Sequence, residues 1–519
     1  MAQLEVVDGG LNGAAAKRPL GVLAWMWRHP LAVCLPAQAI LLLAGLGRLP
    51  VWGDEQTSFD RAILGAVPAN TVHPGLYFLL LRGWLSALCD GPCIVGARAL
   101  SALFVLAATV AIDRCWLRAL EERERRWFLV LWTLSPALVL YGRMARSYSL
   151  QLLLASVALA AGGRFAARST PSALLTYVAA AAVLFSTHYL PGVAVVGGVF
   201  AAMAWRALAA PRASAVWAAL LPPILVGLAL TPGLARFATA VGQLAQHSGY
   251  HLIGRAGDVG LALAFTALSF SVGETLWPWM LVGAALLAPL VVAMLLRGLR
   301  PAPAWLGIVV PAAVIGFVGA QQWVSYAFVP ARLLFLLPFC LLLFVRGAQR
   351  HGGLGTVACA AAVLLSLAGI AAYFGQVDFL NKAYCVPSEA IAERILSGSA
   401  DGRVTVILDH HSSDFSAVAA RLPRDARVVD VIDGPSAARA VGLAGEPGLR
   451  QAWFVHSTHD VSAAQWNAMV RDAFSARLPV RRTELVPYTD VDRWLMRLAG
   501  WPIRPRHAVE VLEFGGPGR

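Results

Sequence analysis

The sequence predicts a polytopic α-helical membrane protein with a C-terminal soluble α/β domain. Two observations predict it. Hydrophobic residues make up 58% of the 519 positions and charged residues only 14%, where an ordinary globular chain carries about 25% charged residues. The mean hydropathy is +0.65. Apolar stretches of about 20 residues, the length that crosses a bilayer, recur through the first three quarters of the chain and then stop. From residue 376 onward charges return, and short apolar runs alternate with turn signals. The expected division is a cytoplasmic segment over 1–30, a transmembrane body over 31–375 with an outer-face loop at 51–93, and an extracytoplasmic domain over 376–519.

Residues 1–19 are polar and the first span is too long for a cleavable signal. Spans are expected at 31–49, 94–116, 127–146, 148–166, 172–190, 191–206, 214–232, 276–296, 303–322, 329–345 and 353–374. Segments 75–89 and 259–273 are shorter than a usual span, so they lie in the interface or re-enter, or else raise the count from 11 to 13. Charge arbitrates. With the N-terminus (Lys17, Arg18, Arg28) inside and both short segments held outside, the arginine-rich loops fall on one side. They carry Arg114 to Arg126, Arg164 and Arg168, Arg206 and Arg212, Arg297 and Arg300, and Arg346 and Arg350. That is the side the positive-inside rule assigns to the cytoplasm. An odd count leaves the C-terminal domain in the periplasm or outside the cell.

The net charge of +13 has the same topological origin. No basic stripe with stacking aromatics accompanies it, which argues against nucleic acid as a partner. Arginine-rich, alanine-rich composition suggests a GC-rich bacterial genome and hence a bacterial inner membrane. The seven cysteines form no metal-ligand pattern. Four of them (Cys34, Cys115, Cys340 and Cys359) lie in or at spans, while Cys89 and Cys93 could pair in an oxidising compartment.

The outer face of this topology holds the residues suited to chemistry. Immediately after the first span the chain reads Val51-Trp52-Gly53-Asp54-Glu55. Adjacent carboxylates at a membrane boundary are costly to desolvate, so they need a task or a partner. Arg143 and Arg146 stand three apart where the third span ends outside, followed by Tyr148. Arg332 opens a later span from the same side. All three arginines defy the charge rule, and a guanidinium fork suits a phosphate. Another outer end carries His188 and Tyr189, and His73 follows the first loop. Carboxylates and phosphate-suited arginines at one level fit glycosyl transfer from a lipid-linked sugar: a carboxylate deprotonates an acceptor hydroxyl while arginines stabilise the departing lipid phosphate.

These blocks carry a resemblance. Gly53-Asp54-Glu55, Thr71 to Tyr77, Ala97 to Leu103, Arg143 to Tyr148 and Arg332 to Pro338 resemble, in order, the motif blocks of GT-C superfamily glycosyltransferases. The nearest groups are protein O-mannosyltransferases, the lipid A aminoarabinose transferase and related bacterial polyprenyl-phosphate-sugar transferases. The resemblance covers roughly residues 30–375 and implies a GT-C fold, a polyprenyl-phosphate-linked sugar donor, and a glycan, lipid or protein acceptor. It maps the catalytic base to Asp54 and a supporting or acceptor-contacting role to Glu55. Arg143, Arg146 and Arg332 become candidate ligands of the donor phosphate, and His73, Tyr148, His188 and Tyr189 possible substrate contacts. Several relatives carry an acidic residue where this chain has Arg146-Ser147-Tyr148, which leaves a divalent metal open.

In the C-terminal part, 404–408, 428–432 and 452–455 read as buried strands and 388–397 and 463–476 as helices. Two strands end in polar clusters, Asp409 to Asp414 and His456 to Asp460. Asp409-His410-His411 is similar to a phosphoesterase motif, but that motif's other carboxylate blocks are missing. A transporter or flippase of lipid-linked glycans, and a non-catalytic assembly partner, are the rival readings; the first needs polar residues through mid-membrane, where most spans here are smoothly apolar.

Overall fold

The computed structural model describes residues 28–64, 74–89, 93–209, 213–246, 256–299, 330–377, 379–399, 404–410, 415–458, 464–498 and 507–515. Helix α1 (Pro30–Leu43) opens the membrane body, and the chain turns through Gly45, at φ 63°, toward α2 (Gly53–Leu64). Asp54 and Glu55 occupy the first turn of α2, where the helix dipole favours acidic side chains. Helix α3 (Leu76–Leu88), 13 residues long, packs between α2 and α4 (Ile94–Cys115).

The single span expected at 127–146 is two helices, α5 (Glu122–Thr133) and α6 (Pro136–Gly142). Pro136 has no N–H to continue the first helix, and the Ser135 hydroxyl accepts from the Leu138 N–H at 3.5 Å to start the second. The chain then makes a tight turn over 143–147 before α7 (Tyr148–Arg168). Arg143 and Arg146 therefore sit on a turn, where three-residue spacing does not put them on one face. Between α8 (Pro171–Phe185) and α9 (Tyr189–Ala209) the break falls at 186–188, ahead of the boundary expected at 190. Helix α10 (Ala213–Gln246) is far longer than its expected apolar window, and the segment expected at 259–273 is α11 (Ala256–Val272). Then come α12 (Pro278–Leu299), a 3-10 segment Pro330–Leu336, α13 (Leu337–Gln349) and α14 (Gly353–Phe374). The span expected at 303–322 lies outside the described residues.

Six helical stretches among the described residues are long and apolar enough to cross a membrane, so this is a multi-pass membrane protein. The bundle core is built on large buried side chains, Trp132, Tyr141, Tyr148 and Tyr177 among them. Backbones approach closely where α12 crosses α13. A Cβ on Gly298 would lie 2.0 Å from the Leu343 carbonyl oxygen, and one on Gly347 would lie 1.8 Å from that of Met294. Small residues at such crossings are what let transmembrane helices pack.

After the 3-10 turn Lys382–Cys385, the tail runs α15 (Ser388–Gly398), β1 (Thr405–Asp409), α16 (Ser416–Ala419), β2 (Arg427–Val431), α17 (Gly434–Ala444), β3 (Gln451–Ser457), α18 (Ala464–Ser475), β4 (Val480–Pro487), α19 (Asp490–Leu498) and β5 (His507–Gly515). The sheet order is β2-β1-β3-β5-β4, with β1 parallel to β2 and β3, and β5 antiparallel to β3 and β4. Strands β4 and β5 were not expected because their charges mask the alternation. In the fold those charges meet, Arg482 contacting Glu484 along its own strand and Glu510 across the ladder. Several contacts among the described residues seat this domain on the membrane body. Thr275 bridges Phe379, Leu380 N–H donates to the Glu274 carbonyl at 2.8 Å, Trp52 meets Tyr384 edge-on at 4.9 Å, and α16 packs against α2. Lys382 and Asp492, both buried, pair at 2.7 Å and hold the linker to the tail's own last helix.

Candidate active site

Successive helical residues point about 100° apart, so Asp54 and Glu55 face different surroundings. The Asp54 carboxylate lies 3.1 Å from the Arg146 guanidinium and keeps 35% of its side-chain surface exposed, whereas Arg146 keeps 4%. Arg146 also donates to the Asp54 carbonyl at 2.9 Å and to the Ser58 hydroxyl at 3.2 Å, which fixes the first turn of α2. Behind it the Tyr148 ring lies 5.9 Å from the guanidinium carbon. Arg146 and Arg332 both act electrostatically on Tyr148 and on the fully buried His188. One accessible carboxylate thus stands among two guanidinium groups, a tyrosine and a histidine drawn from α2, the 143–147 turn, α7, the 186–188 turn and the 330–336 segment.

Glu55 is 1% exposed. Its carboxylate accepts from Arg98 Nε at 2.9 Å, Arg98 Nη2 at 2.6 Å and the Ala145 N–H at 2.8 Å. Arg98 spends its remaining hydrogens on the carbonyls of Leu46 (2.7 Å), Leu49 (3.0 Å) and Pro50 (3.0 Å). Glu55 was expected to support Asp54 or to touch the acceptor; in the structure its carboxylate is buried against Arg98 and the Ala145 N–H. It ties α2 to α4 and to the turn carrying Arg146.

Arg143 is not brought to Asp54. Its two Nη atoms donate to the carbonyls of Leu41 (2.8 Å) and Gly45 (2.9 Å), closing the end of α1. The guanidinium lies over Tyr373 and Phe374 at 5.3 and 5.0 Å. With Trp52, Glu55, Arg98 and Tyr384 it lines a narrow cleft beside the carboxylates. The Tyr189 ring meets Phe185 at 5.2 Å, tilted by 59°, next to His188. His73 lies outside the described residues.

Sequence reasoning assigned no role to Arg98, Ser58, Trp52 or Tyr384. Arg98 did leave a signal, since a charged residue inside an apolar span calls for a buried partner. Ser58 and Tyr384 left none. The Asp54 and Glu55 carboxylates are each matched to a guanidinium, and among the described residues no three His, Cys, Asp or Glu side chains gather.

No family profile and no curated protein matches the sequence. Solved structures do. ArnT from Cupriavidus metallidurans bound to undecaprenyl phosphate aligns over 94% of this chain and 100% of its own at 13% identity, with a TM-score of 0.54. The apo state of the same protein aligns over 96% and 100% at 13% identity, with a TM-score of 0.55. At that identity the likeness is one of fold, extending over nearly the whole chain.

Proposed function

We propose that this chain, a multi-pass membrane protein with the GT-C fold, is a glycosyltransferase that moves a sugar from a polyprenyl-phosphate donor to a hydroxyl acceptor. The carrying observation is the Asp54 carboxylate, accessible at 35% and held by Arg146, with Arg332 acting on the same Tyr148 that both of them face. In this reading Asp54 takes the proton of the acceptor hydroxyl as its oxygen attacks the anomeric carbon. The bond from that carbon to the lipid phosphate breaks, and its electron pair leaves on the phosphate. Arg332 and Arg146 offset the charge gathering there. A single displacement inverts the anomeric configuration. Arg143 is left out of the phosphate set because both its Nη atoms already serve carbonyls.

Support for the donor class comes from the solved ArnT structure with undecaprenyl phosphate. The arginine distribution supports a bacterial inner-membrane enzyme whose tail and active site face the periplasm and whose acceptor is a glycan, lipid or protein there. Incubating purified protein with a panel of radiolabelled polyprenyl-phosphate sugars and membrane extract tests the reading. Transfer of label to an acceptor is the expected result; no transfer from any donor in the panel, with intact donors recovered, would sink it.

A further inference from the structure

Behind the active site the α11–α12 loop folds inward and carries a buried acid, Glu274. Two glycines permit the approach. Gly273, at φ +84°, passes so close that a Cβ there would lie 2.9 Å from the Pro136 side chain, and a Cβ on Gly369 would meet the Val272 carbonyl oxygen at 2.3 Å. The Thr275–Phe379 bridge and the Leu380 N–H on the Glu274 carbonyl hold the loop from its other side. The Glu274 side chain therefore points into the protein and is 1% exposed. One carboxyl oxygen, Oε1, accepts from the Tyr141 hydroxyl and lies 3.4 Å from the Ser269 hydroxyl. Oε2 is buried with no hydrogen-bond partner among the described residues.

Nothing in the proposed reaction uses this carboxyl, and an unpartnered buried acid oxygen is costly to keep. Its one strong partner leads to the site. The Tyr141 ring meets the Tyr148 ring edge-on at 6.4 Å. Tyr148 in turn lies 5.9 Å from the guanidinium of Arg146, which holds Asp54 at 3.1 Å. Every member of this column except Asp54 is buried: Tyr141 0%, Tyr148 2%, Arg146 3%. We infer that Glu274 is a positioning residue for the Asp54–Arg146 pair, acting through Tyr141 and Tyr148. The inference rests on the glycosyl-transfer reading.

The surroundings say which form of the acid does this. Around Glu274 the described side chains are Ser269 and Val272 of α11, Leu276 of the loop itself, Met280 of α12 and Ala372 of α14. The titratable groups facing it are Tyr141 from α6 and Tyr384 from the linker. Among the described residues no cation acts on it, and burial pushes the carboxyl up to about 7. Because the folded-state value is raised, the neutral form is favoured in the native protein below about 7, and the column loosens as the acid ionises above it.

Turnover against pH for four proteins tests this. Wild-type kcat should fall above neutral pH, roughly tenfold per pH unit if the ionised form is inactive. Glu274→Gln keeps an acceptor for Tyr141 but cannot ionise, so that alkaline limb should vanish while kcat at pH ~6 stays within about threefold. Glu274→Leu removes both the acceptor and the titrating group, so kcat should sit about tenfold below the wild-type plateau without the alkaline limb, with donor KM within about twofold. Tyr141→Phe breaks the column and removes the hydroxyl that steadies the ionised acid, so the plateau should fall and the limb move to higher pH, a readout that stands even if the leucine variant fails to fold. Persistence of the wild-type limb in Glu274→Gln, or no change of profile in Tyr141→Phe, would overturn the inference and leave the functional reading standing. Absence of turnover by the wild type with every donor would overturn both.

Discussion

Asp54 and Glu55 are neighbours of the same chemistry with opposite surroundings, and their variants should fail differently. Asp54→Asn keeps size and hydrogen bonding but cannot accept a proton; turnover should fall by about 10²–10⁴-fold with donor binding retained. Near wild-type turnover in that variant, or a product of retained configuration, would remove Asp54 from the role of base. Glu55→Gln leaves the Arg98 guanidinium buried opposite a neutral amide, and breaking such a pair costs about 3–5 kcal/mol. Its expected signature is a lower melting temperature in detergent, partly restored by pairing it with Arg98→Met. Purely additive losses in that double-variant cycle would mean that the two residues do not act as a pair. The sequence marked both carboxylates as unusual for their place at a membrane edge. It could not tell them apart, because the donors that close around Glu55 come from Arg98, 43 residues on, and Ala145, 90 residues on.

At the scale of elements, the apolar windows located most helices while the breaks between them depended on single residues. Ser135 and Pro136 divide one expected span, and this division places the 143–147 turn beside α2. The crossing of α12 and α13 is set just as locally. Gly347→Ala should force the two helices apart, since a Cβ there would sit 1.8 Å from the Met294 carbonyl oxygen. Overpacking of this kind costs about 1–3 kcal/mol, occasionally more. Gly197→Ala on α9, with no neighbouring atom within 4 Å, is the matched control and should melt like the wild type. Equal melting temperatures for the two variants would show that the crossing tolerates a side chain and is not a close contact.

For the whole molecule, the expected arrangement puts the tail and the α4–α5 loop on opposite sides of the membrane. Cysteines introduced at Glu122, 55% exposed, and Asp472, 69% exposed, in a cysteine-free background should react with an impermeant reagent from opposite sides. Labelling of both from one side would invalidate the topology. The same arrangement sets the tail over the site. Strand β1 is followed by α16, which packs on α2, and Tyr384 reaches back to Trp52, two residues before Asp54.

Sequence by itself determined the membrane class, the α/β tail and the short set of residues worth suspecting. Each is a local property: run length and hydropathy decide crossing, and a charge at an apolar boundary is conspicuous without its neighbours. Tertiary structure alone decided which carboxylate stays accessible and which arginines are already committed to carbonyls. It alone brought Glu274 to Tyr141, 133 residues away. The physical reason is common to all three. A buried polar group's state is set by the partners that replace water, and here those partners come from distant parts of the chain.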